Sequence, residues 1–255
     1  MKQIPNIVTL LNLFCGCIAI LFTLQNGIAI VVNPEAGSQY IDLTEKIWLA
    51  SLFIAIAAVV DFLDGFVARL MGVSSEMGKQ LDSLADVVSF GVAPGMILYQ
   101  LLRLSVAKSD DGLDASILWL MPAFILPCAA AYRLAKFNLD TRQTYSFRGT
   151  PVPSVGLTIA AFPLIYWHSN TEWVLGLLLN KWFIYAVIGI MSWLMVSDIP
   201  IMSNKFKEKT LQANLPKLLF LIIAIAGGVL LGWLSVPLIF VAFVLLSVIF
   251  KKQIQ

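Results

Sequence analysis

Residues 60–86 read Val60-Asp61-Phe62-Leu63-Asp64-Gly65-Phe66-Val67-Ala68-Arg69, then eight residues, then Gly78-Lys79-Gln80-Leu81-Asp82-Ser83-Leu84-Ala85-Asp86. A nearly unbroken apolar run from residue 47 leads into this stretch, and another continues from it to residue 107. Each run is long enough to cross a hydrocarbon layer of about 30 Å as a helix, so a short turn joins two spans and acidic side chains lie within both. A charge near the centre of a span costs about 2.5–3.5 kcal/mol, so four carboxylates and an arginine here need partners and a purpose. The composition agrees with a membrane setting. Of 255 residues, 59% are hydrophobic and 13% charged, with a mean hydropathy of +0.87. Those values exclude soluble enzymes, secreted disulfide scaffolds and disordered tails. A net charge of +2 is too balanced to suggest a nucleic-acid partner.

Apolar runs and polar breaks predict an all-α fold, a polytopic integral membrane helical bundle. It forms a single membrane domain over 1–255 with about eight transmembrane helices, near 7–32, 47–71, 81–107, 115–139, 152–168, 181–197, 217–232 and 234–250. Only Ser235 and Pro237 separate the last two, so a single re-entrant or tilted element is the alternative there. Residues 173–180 either extend the sixth helix or lie at the interface. Cys15, Cys17 and Cys128 all fall in apolar runs and read as small membrane residues rather than a disulfide or zinc set. The first helix lacks a small-residue cleavage site and is expected to stay attached.

Assigning alternate loops to two sides collects thirteen basic residues on one side: Lys2, Arg69, Lys79, Arg133, Lys136, Arg142, Arg148, Lys205, Lys207, Lys209, Lys217, Lys251 and Lys252. The other side holds Lys46, Arg103, Lys108 and Lys181, with the acidic Glu35, Asp42, Glu45, Asp110, Asp111 and Asp114. Basic residues stay on the cytoplasmic side, so this asymmetry predicts that both termini and the 72–80 and 140–151 loops face the cytoplasm.

At 100° per residue Asp61, Asp64, Gly65 and Ala68 share one helix face, with Arg69 at its edge; Asp82 and Asp86 share a face of the next helix. An antiparallel hairpin brings the four carboxylates together near one membrane surface. Four like charges within a few ångströms repel strongly in low dielectric, and a divalent cation is the natural compensation. Oxygen ligands without His or Cys select a hard ion, Mg²⁺, Mn²⁺ or Ca²⁺, and such ions work where phosphate oxygens are handled. Gly65 and Ala68 leave room for a substrate against the backbone, and Arg69 can fork onto a phosphate. A structural charge network or an ion path is the alternative for these residues taken singly.

The string D-x-x-D-G-x-x-A-R, eight residues, G-x-x-x-D-x-x-x-D resembles the signature of the CDP-alcohol phosphatidyltransferase family over residues 61–86. All eight fixed positions match: Asp61, Asp64, Gly65, Ala68, Arg69, Gly78, Asp82 and Asp86. Chance agreement in a chain this long has a probability on the order of 10⁻⁸. Three further stretches are similar to the bacterial membrane-integrated members that use L-serine as the acceptor alcohol: residues 4–16 (Ile4-Pro5-Asn6-Ile7-Val8-Thr9 and onward), 82–94, and Arg133-Leu134-Ala135-Lys136-Phe137-Asn138 with Phe147 to Pro153. Thr150 departs from the larger apolar residue expected in the last of these. The resemblance implies transfer of a phosphatidyl group from CDP-diacylglycerol to the serine hydroxyl with release of CMP. It implies that Asp61, Asp64, Asp82 and Asp86 hold divalent metal and that Asp86 also accepts the hydroxyl proton. It further implies that Gly65, Ala68, Arg69, Ser75 and Gly78 contact the CDP-lipid, with Asn6 and Thr9 at its cytidine end, and that the enzyme is a homodimer among membrane lipids.

Serine carries a carboxylate, so its pocket should offer a cation, and Arg133, Lys136 and Arg148 are the candidates within the serine-type stretches. Snorkelling toward the interface explains Arg133 and Lys136 equally well. Asn6, Thr9 and Asn12 recur at i, i+3 and i+6 and could equally serve interhelical hydrogen bonding. His168, the only histidine, sits beside Tyr166 and Trp167 and reads as an interfacial residue. The rival functions are a relative using glycerol 3-phosphate or inositol, an ion-coupled transporter, and an intramembrane aspartyl protease. A transporter should repeat the acidic cluster in its second half, and no such repeat follows residue 86. A protease of that kind would split its two carboxylates between separate motifs.

Overall fold

The structure is a computed structural model that describes residues 4–25, 28–32, 39–43, 46–72, 75–108, 116–139, 147–169, 171–202 and 211–251. Lys2, Glu35, Glu45, Asp110, Asp111, Asp114, Arg142, Lys205, Lys207, Lys209 and Lys252 lie outside the described residues, as does most of the 140–151 loop.

Among the described residues ten α-helices make a membrane bundle. Helix α1 (Ile4–Leu24) packs along α2 (Ile47–Met71). Gly72, with φ 60°, closes α2 in the left-handed conformation that favours glycine, its N–H reaching the carbonyls of Ala68 and Arg69. Ser75 then caps the next helix by accepting the N–H of Gly78 at 2.9 Å. From there the chain stays helical from Glu76 to Ala107 as α3 (Glu76–Asp86), a π-helical segment (Val87–Val92) and α4 (Ala93–Ala107). Two 3₁₀ turns over Ile117–Trp119 and Met121–Phe124 lead into α5 (Ile125–Leu139). Next come α6 (Val152–His168), the short α7 (Glu172–Leu178), bent by 62° against α8 (Lys181–Val196), then α9 (Leu211–Leu231) and α10 (Ser235–Ile249).

The sequence reading needs two corrections. Residues 28–32, assigned to the first span, form strand β1 (Ile28–Val32), antiparallel to β2 (Gln39–Leu43). The run Gln25-Asn26-Gly27 interrupts the apolar pattern and Ile28, Ile30, Val31 and Val32 are β-branched, so the strand conformation wins. The third span starts at Glu76 rather than 81, because Ser75 caps a polar first turn that carries no hydropathy signal. The last two helices turn over Gly232–Leu234, with Gly232 at φ 53°, where the predicted bounds 217–232 and 234–250 place the break. They form a hairpin in which the Phe220 and Phe243 rings lie 5.4 Å apart, whereas 23 residues of straight helix would separate them by about 34 Å. The count of eight spans is not confirmed. Among the described residues five helical stretches are long and apolar enough to cross a membrane, one of them the α9–α10 pair taken together, six if the bent pair α7–α8 counts as one, and α6 is shorter.

The core lies where α4, α5, α6 and α8 meet, around Phe90, Ile97, Leu98, Leu101, Leu126, Ile159 and Ile184, all under 2% exposed. Large apolar side chains elsewhere, such as Phe14, Phe62, Trp182 and Val229, point outward, as lipid solvent allows. A second small ladder, β3 (Phe147–Arg148) with β4 (Pro200–Ile201), stitches the α5–α6 connection to the end of α8. Gly149 N–H reaches the Ile199 carbonyl at 2.9 Å and Thr150 N–H the Leu194 carbonyl at 3.1 Å. Gly149 has φ 74°, and a Cβ there would lie 2.8 Å from the Ser197 carbonyl oxygen. Met202 N–H, bonded to Ser247 Oγ, brings the end of α10 to the same place.

Candidate active site

The α2–α3 hairpin converts sequence spacing into a cluster. Ligand oxygens of Asp61, Asp64 and Asp82 lie within 4.8 Å of one another, and Asp86 is in side-chain contact with Asp61. Asp64 and Asp86 are buried at 7% exposure each, whereas Asp61 and Asp82 are half-buried. Three converging carboxylates with a fourth beside them, and neither His nor Cys among them, fit a hard divalent cation.

Helix α1 forms the back wall. Thr9 Oγ1 lies 2.7 Å from Asp64 Oδ2 and 3.1 Å from the Pro5 carbonyl, so its proton favours the carboxylate. One turn on, Asn12 is fully buried; its Nδ2 faces Asp86 Oδ1 at 3.5 Å, and its backbone carbonyl accepts from Ser89 Oγ at 3.0 Å. Asn6 Oδ1 stands beside Gly78, where a Cβ would lie 3.1 Å from it and 3.1 Å from Ser75 Oγ. Arg69 folds back over Gly65, where a Cβ would lie 3.4 Å from its guanidinium, and Ala68 is half-buried alongside. Of the CDP-lipid candidates, Thr9 touches Asp64, Asn6 and Ser75 stand beside Gly78, and Arg69 lies over Gly65 with Ala68 alongside.

The three acceptor candidates separate. Arg133 on α5 is 7% exposed, its guanidinium 5.8 Å from the Phe137 ring centroid, with Asp86 as the charge acting on it. Its Nε is buried and makes no hydrogen bond. Lys136, one turn on, instead forms an ion pair with Asp198 at 2.9 Å, and Asp198 is exposed. Arg148 lies on β3 with its side chain exposed. Asn12 and Ser89 join the site although neither stood among the candidate site residues; the i, i+3, i+6 spacing of Asn6, Thr9 and Asn12 was the only signal for the first. His168 sits exposed at the far end of α6, its Nδ1 3.0 Å from the Leu164 carbonyl.

The π-helical segment behind Asp86 is held closely. A Cβ on Gly16 of α1 would lie 2.8 Å from Ser89 Cα, one on Gly156 of α6 2.9 Å from Phe90 Cα, and one on Gly91 3.0 Å from Ala130 Cβ of α5. Absent side chains let three helices grip the segment, and its wide turn redirects the chain right after Asp86.

A helical membrane bundle with four clustered carboxylates, two buried and two half-buried, fits an enzyme that handles phosphate at a membrane through a hard cation. A family model for CDP-alcohol phosphatidyltransferase matches residues 2–193, and the chain belongs to that family. Curated relatives agree. A Bacillus subtilis (strain 168) protein is 33% identical over 172 residues, 65% of this chain and 78% of the relative. One from Mycobacterium tuberculosis (strain H37Rv) is 30% identical over 253 residues, covering 95% and 76%. One from Helicobacter pylori (strain 26695) is 28% identical over 262 aligned positions, covering 98% and 95%. Each of the three is named CDP-diacylglycerol–serine O-phosphatidyltransferase.

Proposed function

We propose that this protein transfers the phosphatidyl group of CDP-diacylglycerol to the hydroxyl of L-serine, giving phosphatidylserine and CMP. The single observation that carries the reading is the convergence of Asp61, Asp64 and Asp82 within 4.8 Å, with Asp86 set between that cluster and the buried Arg133. The names of relatives spanning nearly the whole chain supply the acceptor.

Asp61, Asp64, Asp82 and Asp86 would hold a divalent ion, Mg²⁺ or Mn²⁺, with Ca²⁺ also compatible with the oxygen donors. When bound, the ion neutralises charge on the diphosphate and on departing CMP. Arg69, over Gly65, reaches toward the diphosphate, while Asn6, Thr9, Ser75 and Gly78 form the rim along which the nucleotide lies. Asp86 accepts the proton of the serine hydroxyl as its oxygen attacks the phosphatidyl phosphorus; the P–O bond to CMP breaks, and CMP leaves with the bonding electrons. Arg133, with an unused N–H, faces the serine carboxylate. The same reading places the enzyme in the cytoplasmic membrane as a homodimer, with the site and both termini on the cytoplasmic side.

The test is CMP release from CDP-diacylglycerol by purified protein with Mg²⁺ or Mn²⁺, comparing L-serine, glycerol 3-phosphate and inositol. Release that requires L-serine is expected. Preference for another acceptor would sink the serine assignment, and no release with any acceptor would sink the transferase reading.

A further inference from the structure

At the end of the bundle opposite the carboxylates lies a second feature that the reaction does not use. A cavity of about 420 Å³ is lined by Ser116, Leu118, Trp119, Pro122 and Tyr185. It sits between the 3₁₀ turns that precede α5 and the first turns of α8, about 24 Å of helix away from the Asp198 end. At its edge the Lys181 ammonium lies 5.2 Å from the Trp119 ring centroid and 5.7 Å from that of Trp182, within cation–π range of both. Trp182 stands edge-on to Tyr185 at 5.9 Å, and Tyr185 Oη donates to the Trp119 carbonyl at 2.6 Å, which fixes the wall.

Tyr185 spends its hydroxyl proton on the Trp119 carbonyl, so the donors open to a ligand are Ser116 and Lys181. Ser116 Oγ accepts the Leu118 N–H at 3.3 Å, and among the described residues nothing accepts its own proton, which a ligand in the cavity can take. Lys181 adds a full positive charge, and among the described residues no carboxylate forms an ion pair with it. The rest is apolar and continuous with a lipid-facing surface: Ile117, Leu118 and Met121 are 65%, 69% and 55% exposed. A site with a cation, a hydroxyl donor and an apolar flank open to the bilayer matches an anion that carries its own hydrocarbon. We propose that this cavity binds the phosphate headgroup of an anionic membrane phospholipid in the leaflet opposite the active site, with the acyl chains along Ile117, Leu118 and Met121.

The test uses the full chain reconstituted in phosphatidylcholine vesicles containing phosphatidylglycerol, with acyl-brominated versions of either lipid quenching tryptophan fluorescence. Of the seven tryptophans, Trp48, Trp119, Trp167, Trp173, Trp182 and Trp233 lie toward this end and Trp193 toward the other, so Trp193→Phe is made in every protein tested and the signal then reports on this end. Brominated phosphatidylglycerol should quench more than brominated phosphatidylcholine at equal mole fraction, a preference of roughly 5-fold for one retained headgroup. Lys181→Gln should reduce it to near unity, and Lys181→Arg should keep it. Because the lysines at the opposite end are unchanged in both variants, the difference isolates this site. An undiminished preference in Lys181→Gln overturns the proposal, as does loss of the wild-type preference on adding about 10 mM inorganic phosphate, which would assign the site to a free anion.

Discussion

At the residue scale, the four aspartates are chemically alike, and the proposed mechanism gives them different work. Asp61→Asn removes a ligand oxygen set and one negative charge from the half-buried side of the cluster, and should weaken metal-dependent binding of CDP-diacylglycerol as well as turnover. Asp86→Asn should lower turnover by at least about 100-fold while lipid binding falls less, because proton acceptance is needed only when the hydroxyl attacks. Retention of more than a few per cent of wild-type turnover at saturating serine would rule out Asp86 as the proton acceptor. The two neighbouring bases also part company. Arg133→Gln should raise the KM for serine roughly 10-fold or more with little change in the KM for the CDP-lipid, since it removes a buried guanidinium. Lys136→Gln, which breaks an exposed pair with Asp198, should leave both constants within about 2-fold. Steady-state kinetics with each substrate varied in turn decides both. The aspartates were legible in sequence because charge inside an apolar run stands out. The difference between Arg133 and Lys136 was not: they lie one turn apart at a helix end, and only the packing of Phe137 and the reach of Asp198 tell them apart.

At the element scale the surroundings of Asp86 are set by how closely α1 approaches the π-helical segment that follows it. Gly16 permits that approach, and Ser89 fastens it through the Asn12 carbonyl. Gly16→Ala puts a methyl group where Ser89 Cα and Cβ would be 2.8 and 3.1 Å away, so α1 must shift and carry Thr9 and Asn12 off Asp64 and Asp86. A loss of about 1–3 kcal/mol in stability is expected, visible as a lower thermal midpoint, with a fall in kcat larger than that of a control alanine at Gly189, which has open space around it. Equal kcat values for the two variants would show that the α1 contact does not set the catalytic geometry. Helix type and rough extent were readable from hydropathy alone; the π-helical segment and the strand at Ile28–Val32 were not. The first keeps a helical apolar pattern, so nothing in its composition marks the wider turn, and the second is an apolar run whose β-branched residues matter only once the helix has ended at Leu24.

At the scale of the whole molecule, the alternation of loops is a claim about which helix ends lie together, and the fold groups them as the charge count requires. Arg69, Lys79, Arg133, Lys136, Arg148, Lys217 and Lys251 all sit at the helix ends shared with the carboxylates. The linkage runs through Lys79 Nζ to the Asn138 carbonyl, Asn138 to Ser83, Lys136 to Asp198, β3 to β4, and Met202 to Ser247. Lys46, Arg103 and Lys181 sit at the opposite end, with Gln100 bonded to the Thr23 carbonyl and His168 near Trp233. Common placement at one end follows from the fold; which compartment that end faces follows from the rule that basic residues resist translocation. In a background with Cys15, Cys17 and Cys128 replaced, Lys79→Cys should react with a membrane-impermeant thiol reagent only after the cytoplasmic face is opened, and Glu172→Cys should react in intact cells. The two positions are exposed and at opposite ends, so each serves as the control for the other. The reverse pattern would turn the carboxylates away from cytosolic serine and CTP-derived lipid, leaving the chemistry of the site intact but without its substrates.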